Sequence, residues 1–244
     1  MDSIEALTQK IARLSVGYKP NSCVSRYLSD KTVIPILGPF STGKSTIMRK
    51  MEELDEEVSY VLGFTTRARR PREPDGIYRF IEHTPKKLQG LIDQLSNRDL
   101  VQIAINPATQ FIYGSDLDSY RTPYNVLDVY TTAIEEFKTL PFASIMLPVY
   151  IVAPVDQWLK RIEERQNGIQ TASDIRKRWL EAKINLEWAI QHQQNINWVL
   201  NDNGNLDKAA QEIIDIARGV KAEGSYPSGA EVAQKMLDTA LSKI

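Results

Sequence analysis

The sequence predicts an α/β fold in which a parallel sheet is flanked by helices. Along most of the 244 residues, apolar runs of strand length alternate with amphipathic segments of helix length. This order is typical of parallel strands joined by helical crossovers. The first long apolar run is joined to the following helix by a glycine-rich loop of the kind that binds phosphate. Together these observations predict the fold of a P-loop nucleoside triphosphatase.

Residues 38–45 read Gly-Pro-Phe-Ser-Thr-Gly-Lys-Ser and match G-x-x-x-x-G-K-[ST] at every fixed position. An apolar strand is predicted at residues 33–37, and a helix begins at residue 46. Glycines let the backbone approach phosphate closely, while N–H groups and the helix N-terminus point at the anion. We expect Lys44 to reach the β- and γ-phosphates of ATP and Ser45 to hold Mg²⁺. The predicted ATP-binding residues here are Gly38, Ser41, Thr42, Gly43, Lys44, Ser45 and Thr46.

The remaining elements follow from apolar periodicity and from turn residues. Further strands are predicted at residues 58–63, 78–81, 100–105, 110–113, 125–130, 145–153 and 198–200. Further helices are predicted at residues 85–95, 131–140, 174–193 and 206–219. Another helix begins at Pro154, which occupies the first-turn position that proline favours. Ser115 is a candidate cap for a short helix.

Both ends of the chain are predicted to be helical. Residues 1–30 form an N-terminal extension in which Ile4, Leu7, Ile11 and Leu14 fall on one helical face. Residues 221–244 form a linker followed by a C-terminal helix. We expect the terminal helices to pack on the domain, with an oligomer contact as the alternative.

Composition limits the partners. The 30 Lys and Arg residues are balanced by 31 Asp and Glu residues, so no overall basic field favours nucleic acid. The single cysteine excludes an intramolecular disulfide and fits a reducing compartment. No apolar run approaches the roughly 18 residues of a membrane span, and the N-terminus lacks a secretion signal. We therefore expect a cytoplasmic protein without a nucleic-acid or membrane partner.

Residues 63–78 concentrate basic side chains soon after the first long helix. Arginine is suited to planar, bidentate contact with phosphate. The segment resembles the monophosphate-binding signature of guanylate kinases, roughly T-T-R-x-x-R-x-G-E-x-x-G-x-x-Y. Arg72 stands where the family often has a residue before the first glycine, that glycine is missing, and the spacing between Gly76 and Tyr78 is one residue shorter. The matching positions are Thr65, Thr66, Arg67, Arg70, Glu73, Gly76 and Tyr78. By this resemblance Arg67, Arg70 and Tyr78 hold the acceptor's phosphate, and Glu73 belongs to the same set.

The resemblance extends over residues 32–220. Tyr113 and Ser115 match a Y-G-S motif whose tyrosine contacts phosphate and whose serine faces the base. Asp128 matches the aspartate of an I-L-D-I strand beside the reacting phosphates. Arg161 and Arg165 match the helix that leads into the family's lid, and Arg178 matches the arginine that leads out of it. Asn201 matches a strand end near the adenine of ATP.

The resemblance implies catalytic roles for five residues, which are Lys44, Asp128, Arg161, Arg165 and Arg178. It also implies a guanylate kinase-like domain at residues 31–220, with a monophosphate-binding region at about 63–123 and a lid at about 165–178. A lid suits this chemistry because water must be excluded if ATP is not to be hydrolysed.

Base recognition departs from the family pattern. Gln102 stands where the family has a guanine-reading glutamate, Gly63 where it has a serine, and Tyr130 where it has a second aspartate. A carboxylate accepts from two adjacent guanine donors, whereas glutamine offers one acceptor and one donor. Ser115 remains as a matching base contact.

The sequence thus predicts phosphoryl transfer from ATP, with Mg²⁺, to a nucleoside monophosphate, with GMP or dGMP favoured. One alternative is a related P-loop kinase of another phosphorylated acceptor. The other is a guanylate kinase-like binding module with weak catalysis.

Overall fold

The computed structural model describes residues 3–69, 73, 75–106, 109–142, 144–146, 148–166, 172–221 and 228–244. These residues form a mixed α/β structure that divides into two compact units. Unit 1 comprises Met1–Lys31, Val61–Asn125 and Thr139–Ser144; unit 2 comprises Thr32–Tyr60, Val126–Lys138 and Ile145–Ile244. In the described part of the chain, no helix is long and apolar enough to cross a membrane.

The elements are numbered in chain order. The helices are α1 (Ile4–Ser15), α2 (Ser22–Leu28), α3 (Lys44–Leu54), α4 (Pro85–Asn97), α5 (Ile134–Phe137), α6 (Val155–Gln166), α7 (Ala172–Gln191), α8 (Leu206–Ala217) and α9 (Gly229–Leu241). The strands are β1 (Thr32–Leu37), β2 (Val58–Tyr60), β3 (Phe64–Thr65), β4 (Arg79–Phe80), β5 (Leu100–Ile105), β6 (Ile112–Asp116), β7 (Tyr124–Asp128), β8 (Ser144–Ile145), β9 (Val149–Val152) and β10 (Asn197–Leu200). Single 3₁₀ turns lie at Leu117–Ser119, Thr131–Ala133 and Gln193–Asn195.

Unit 2 contains the central sheet, whose strand order is β10-β9-β1-β7-β2. Strand β9 runs parallel to both β1 and β10. All four residues of β9 are fully buried, as expected for a parallel strand covered on both faces. Helix α3 packs with α8, and α7 packs with α9. The predicted fold class, a mostly parallel sheet flanked by helices, is confirmed.

Unit 1 contains a second sheet, in the order β4-β3-β6-β5. Strand β6 is antiparallel to β3 and to β5, while β3 is parallel to β4. One face of this sheet contributes Ile103 and Ile112 to an apolar core shared with α1 and α4. Residues opposite each other in an antiparallel pair share a face. The pairs Gln102 with Ser115 and Ala104 with Tyr113 therefore lie on the face away from this core.

Several predicted boundaries are wrong. Ser115 caps no helix: it lies within β6, and the following 3₁₀ turn begins at Leu117. The helix predicted at residues 131–140 is a 3₁₀ turn followed by the four-residue α5. The strand predicted at residues 145–153 is divided into β8 and β9, because Pro148 between them has no N–H for a ladder hydrogen bond.

Candidate functional site

The loop at residues 38–45 adopts a backbone that its glycines make possible. Gly38, Ser41 and Gly43 have φ values of 137°, 61° and 92°. A Cβ atom on Gly38 would lie 2.7 Å from the carbonyl oxygen of Ile151, so a side chain at this position would displace the neighbouring strand. Helix α3 starts directly after Gly43, with no side-chain cap on its N-terminus. The first N–H groups of the helix are therefore available to a ligand.

Side chains bind the carbonyl oxygens in the first part of this loop. Lys44 Nζ donates to the carbonyl oxygens of Gly38 at 2.7 Å and Pro39 at 3.0 Å. The hydroxyl of Thr42 also donates to the Pro39 carbonyl, at 2.9 Å. These bonds turn the carbonyl dipoles toward the protein's own donors.

The next carbonyls are held by side chains that follow later in the sequence. Trp158 Nε1 donates to the carbonyl oxygen of Phe40 at 2.8 Å. The carbonyl oxygen of Thr42 accepts from Asn201 Nδ2 at 2.7 Å and from Arg161 Nη1 at 3.4 Å. Asn201, predicted to bind ATP, thus also fixes the backbone of the loop.

The backbone N–H groups of the loop differ from its carbonyl groups, which are bound by the protein. Among the described residues, none accepts a hydrogen bond from the backbone N–H groups of residues 40–44. The buried hydroxyl of Ser41 likewise has no partner in the described part of the chain. Since buried polar groups are nearly always paired, a row of such donors beside an uncapped helix is suited to an anion.

Asp128 lies at the end of β7 and is the aspartate that the resemblance places beside the reacting phosphates. Its side chain is exposed by surface area, yet the protein around it removes enough hydration to raise the pKa of this carboxyl. Lys44 opposes that rise, and Glu181 adds to it. The Asp128 carboxylate and the Ser45 hydroxyl are hard oxygen donors of the type that Mg²⁺ binds together with phosphate oxygens. These donors therefore fit the metal that the sequence predicts.

Two of the three predicted catalytic arginines lie against this loop. Besides its bond to Thr42, Arg161 donates to the Asn201 carbonyl at 3.1 Å and to Asn203 Oδ1 at 2.8 Å. Loss of hydration lowers the pKa of Arg161, while Asp202 and Glu164 counteract this effect. The guanidinium carbon of Arg178 lies 5.8 Å from the ring centre of Phe40.

The third arginine and part of the lid lie outside the described residues. The backbone of Arg165 belongs to α6, but its side chain is not described. Residues 167–171 of the predicted lid, Arg70 of the predicted acceptor site and residues 222–227 of the predicted linker lie wholly outside the described residues.

In unit 1, Arg67 and Glu73 form a closed ion pair. Arg67 Nη1 and Nη2 lie 2.8 and 2.5 Å from the two oxygens of Glu73. Both side chains are 8% exposed, and the Glu73 carboxylate raises the pKa of Arg67. Glu73 therefore orients the arginine that the resemblance places at the acceptor's phosphate.

Two predicted tyrosines accompany this pair. The guanidinium carbon of Arg67 lies 5.3 Å from the ring centre of Tyr78 and 5.2 Å from that of Phe80. The rings of Tyr78 and Tyr113 meet edge to face, with centres 5.8 Å apart. The structure thus brings Arg67, Glu73, Tyr78 and Tyr113 together, although they are distributed over 47 residues of sequence.

The predicted base contacts lie on the same sheet face. Gln102 and Ser115 are register partners on β5 and β6. The hydroxyls of Ser115 and Tyr120 are 3.1 Å apart. Tyr120 is fully buried, and burial raises the pKa of its hydroxyl. Its position restricts the directions in which Ser115 can hydrogen-bond a ligand.

Sequence reasoning missed several of these residues. Tyr120 and Asn203 belong to no recognisable motif. Each acts through a neighbouring side chain, Tyr120 through Ser115 and Asn203 through Arg161. Arg79, to which no motif assigns a role, donates to Asp116 at 2.7 Å. Phe40 occupies a variable position of the phosphate-loop motif, so the motif gives it no role.

The known proteins to which the chain is similar are guanylate kinases. No model of a known protein family matches the chain. The guanylate kinase of Mycobacterium bovis is 43% identical over 63 residues, which is 25% of this chain and 29% of the relative. The chain therefore matches about three tenths of the length of the first curated relatives.

Two other similarities cover more of the chain. The guanylate kinase of a Jannaschia species is 26% identical over 158 residues, or 61% of this chain and 69% of the relative. A crystal structure of guanylate kinase from Anaplasma phagocytophilum covers 79% of this chain and 88% of its own at 18% identity, with a TM-score of 0.47. In its sequence, the chain is guanylate kinase-like.

Proposed function

We propose that this chain is a nucleoside-monophosphate kinase that transfers the γ-phosphoryl group of ATP to a nucleoside monophosphate, with GMP or dGMP the favoured acceptor. The observation that carries the proposal is the loop at residues 38–45. Its carbonyls at residues 38, 39, 40 and 42 are bound by protein donors. No described residue accepts from the backbone N–H groups of residues 40–44, so these groups are available to an anion.

The donor half of the reaction is assigned to unit 2. Phosphoryl transfer depends on positioning the phosphates in line and on neutralising their charge. The loop N–H groups would hold the phosphates of ATP, and Lys44 would exchange its carbonyl partners for phosphate oxygens. Ser45 and Asp128 would hold Mg²⁺, which neutralises phosphate charge when bound.

The acceptor half is assigned to unit 1. Arg67, fixed by Glu73, would bind the monophosphate, with Tyr78 and Tyr113 contributing hydroxyls. Gln102 and Ser115 would contact the base. The curated relatives named above are guanylate kinases, which supports a nucleotide acceptor.

One observation favours a second candidate function. Gln102, on the proposed base-binding face, has one acceptor and one donor, whereas the N1–H and N2–H₂ of guanine require two acceptors. This favours a related P-loop kinase of another phosphorylated acceptor. A binding module with weak catalysis is less well supported, because Lys44, Ser45 and Asp128 are all present.

The proposal extends to the setting of the protein. It includes a cytoplasmic location and no nucleic-acid or membrane partner. It also includes a division of the chain into an extension at 1–30, a kinase domain at 31–220 and a C-terminal segment at 221–244. The terminal helices remain candidates for an oligomer contact.

The test is turnover of an acceptor panel. Purified protein is incubated with ATP and Mg²⁺ and, separately, with GMP, dGMP, AMP, UMP or CMP; the nucleoside diphosphate is separated chromatographically. Reactions without acceptor measure hydrolysis of ATP by water. The proposal requires diphosphate formation well above this background, with GMP or dGMP the best acceptor. Preference for another acceptor would establish the second candidate, and no transfer to any acceptor would leave only the binding module.

A further inference from the structure

Within unit 2, three aromatic side chains pack against one another at the phosphate loop, and one of them, Phe40, belongs to the loop. The ring of Phe40, at the third position of the loop motif, lies 5.3 Å from Trp179 and 6.1 Å from Trp158, measured between ring centres. The two tryptophans are themselves 5.3 Å apart and at most 5% exposed. Trp158 belongs to α6 and Trp179 to α7, the helices on either side of residues 167–171. Phe40 is therefore a loop residue that contacts both helices.

The same cluster fixes the loop's backbone. Trp158 Nε1 donates to the Phe40 carbonyl at 2.8 Å, and Trp158 is fully buried. In a planar trans peptide the carbonyl and the following N–H point in opposite directions. The bond from Trp158 therefore directs the N–H of Ser41 away from the indole.

The ring of Phe40 also contacts a cation. The guanidinium carbon of Arg178 lies 5.8 Å from the centre of this ring, within the range of a cation–π contact. Arg178 precedes Trp179 on α7, so one turn of helix presents both a cation and an aromatic ring to Phe40.

We propose that Phe40 is a positioning residue that holds Arg178 beside the phosphate loop before ATP binds. The inference rests on the proposed function, because Arg178 is positioned for the triphosphate that the loop is proposed to bind. Holding the cation in advance lowers the ordering cost that binding would otherwise include. Phe40 acts through Arg178, and its contribution therefore requires Arg178.

The test is a double-mutant cycle on the affinity of the full chain for ATP with Mg²⁺, measured by calorimetry. The variants are Phe40→Leu, Arg178→Gln and the pair together. Phe40→Leu is expected to weaken ATP binding roughly fivefold, the scale of a partly exposed cation–π contact. The double variant is expected to bind as weakly as Arg178→Gln alone, because the ring has nothing left to position. Phe40→Tyr, which keeps a ring, is expected to retain most of the affinity.

A matched control separates this effect from general loss of packing. Phe111 lies in unit 1 with its ring against His83, 5.9 Å between centres, and Phe111→Leu is expected to leave ATP affinity unchanged. Losses that multiply in the double variant, or Phe40→Tyr as weak as Phe40→Leu, would overturn the role of Phe40. A wild-type chain that binds no ATP would overturn the proposed function as well, so the two failures are distinguishable. Thermal melting of each variant shows whether it is folded.

Discussion

At the scale of single residues, Lys44 shows how the loop is prepared for a ligand. Its ammonium donates to two carbonyl oxygens of its own loop, which holds the cation against the loop that is proposed to bind phosphate. Lys44→Ala is expected to lower kcat about 100-fold or more, the usual loss when one preorganised electrostatic contact is removed. The measurement is steady-state kcat with the best acceptor of the panel.

Lys50 provides the control for Lys44. It lies on the same helix, α3, but pairs with Glu53 and Asp207 at the surface. Surface ion pairs of this kind contribute little, so Lys50→Ala is expected to keep wild-type kcat. Equal kcat in Lys44→Ala and wild type would remove Lys44 from the mechanism.

Arg67 is expected to act on the acceptor alone. Removing it by itself takes the two-pronged cationic partner away from a buried carboxylate, which destabilises the protein. We therefore combine Arg67→Ala with Glu73→Gln, which removes both charges. The acceptor KM is expected to rise roughly tenfold to a hundredfold, the scale of a lost charged hydrogen bond, while the affinity for ATP stays within about twofold, since binding sites without shared partners are nearly independent. Equal weakening of ATP and acceptor would place Arg67 in the donor site instead.

Gln102 is the residue proposed to read the base in the acceptor site. Gln102→Glu supplies two acceptors for the guanine donors, and the ratio of kcat/KM for GMP to that for AMP is expected to rise at least about tenfold. Gln94, exposed on α4 of the same unit, gives the control Gln94→Glu, for which no change is expected. An unchanged ratio in Gln102→Glu would mean that this side chain does not read the base.

At the scale of elements, two helical glycines differ in their surroundings. A Cβ atom on Gly90, in α4, would meet nothing within 4 Å, whereas one on Gly229, at the start of α9, would overlap the side chain of Trp198. Gly90→Ala is expected to stabilise the protein by about 0.5–1 kcal/mol through helix propensity. Gly229→Ala is expected to destabilise it by about 1–3 kcal/mol, the scale of overpacking. Chemical denaturation measures both, and a stabilising Gly229→Ala would mean that α9 can move away from β10.

The elements differ in how well the sequence predicts them. The strand and helix around Lys44 were predicted closely, because the motif, the apolar run and the helix agree with one another. The two-residue strands β3 and β4 form through pairing with distant segments, and Phe64 pairs with Gly114 fifty residues later. No local pattern contains that information, so the sequence does not predict β3.

The candidate site was predictable to a similar degree. The residues proposed to contact a ligand directly, such as Lys44 and Arg67, belong to motifs. Residues that act through a neighbour do not: Trp158 is bound to the Phe40 carbonyl across 118 positions of sequence. Such partners become visible only when the chain is folded.

At the scale of the whole molecule, each unit has its own core, and the N-terminal helix belongs to that of unit 1. Ile11 of α1 is fully buried in a cluster with Leu88 and Leu91 of α4 and with Ile103 of β5. Removing a buried side chain of this size costs about 2–5 kcal/mol, and the loss falls first on the elements that contact it. Helix α1 is thus part of what supports the sheet that carries the proposed acceptor residues.

Ile11→Ala is therefore expected to affect the two units unequally. Amide hydrogens of α4 and β5 should exchange faster with solvent, whereas those of α3 and α8, which pack with each other in unit 2, should keep their wild-type rates. Hydrogen exchange followed by mass spectrometry measures both sets in one sample. Met236→Ala is the reciprocal variant, because Met236 is fully buried on α9 in unit 2; there the loss of protection is expected in α7 and α9. If either variant loosened both units alike, the chain would unfold as one cooperative body, and acceptor and ATP affinity would fall together instead of separately.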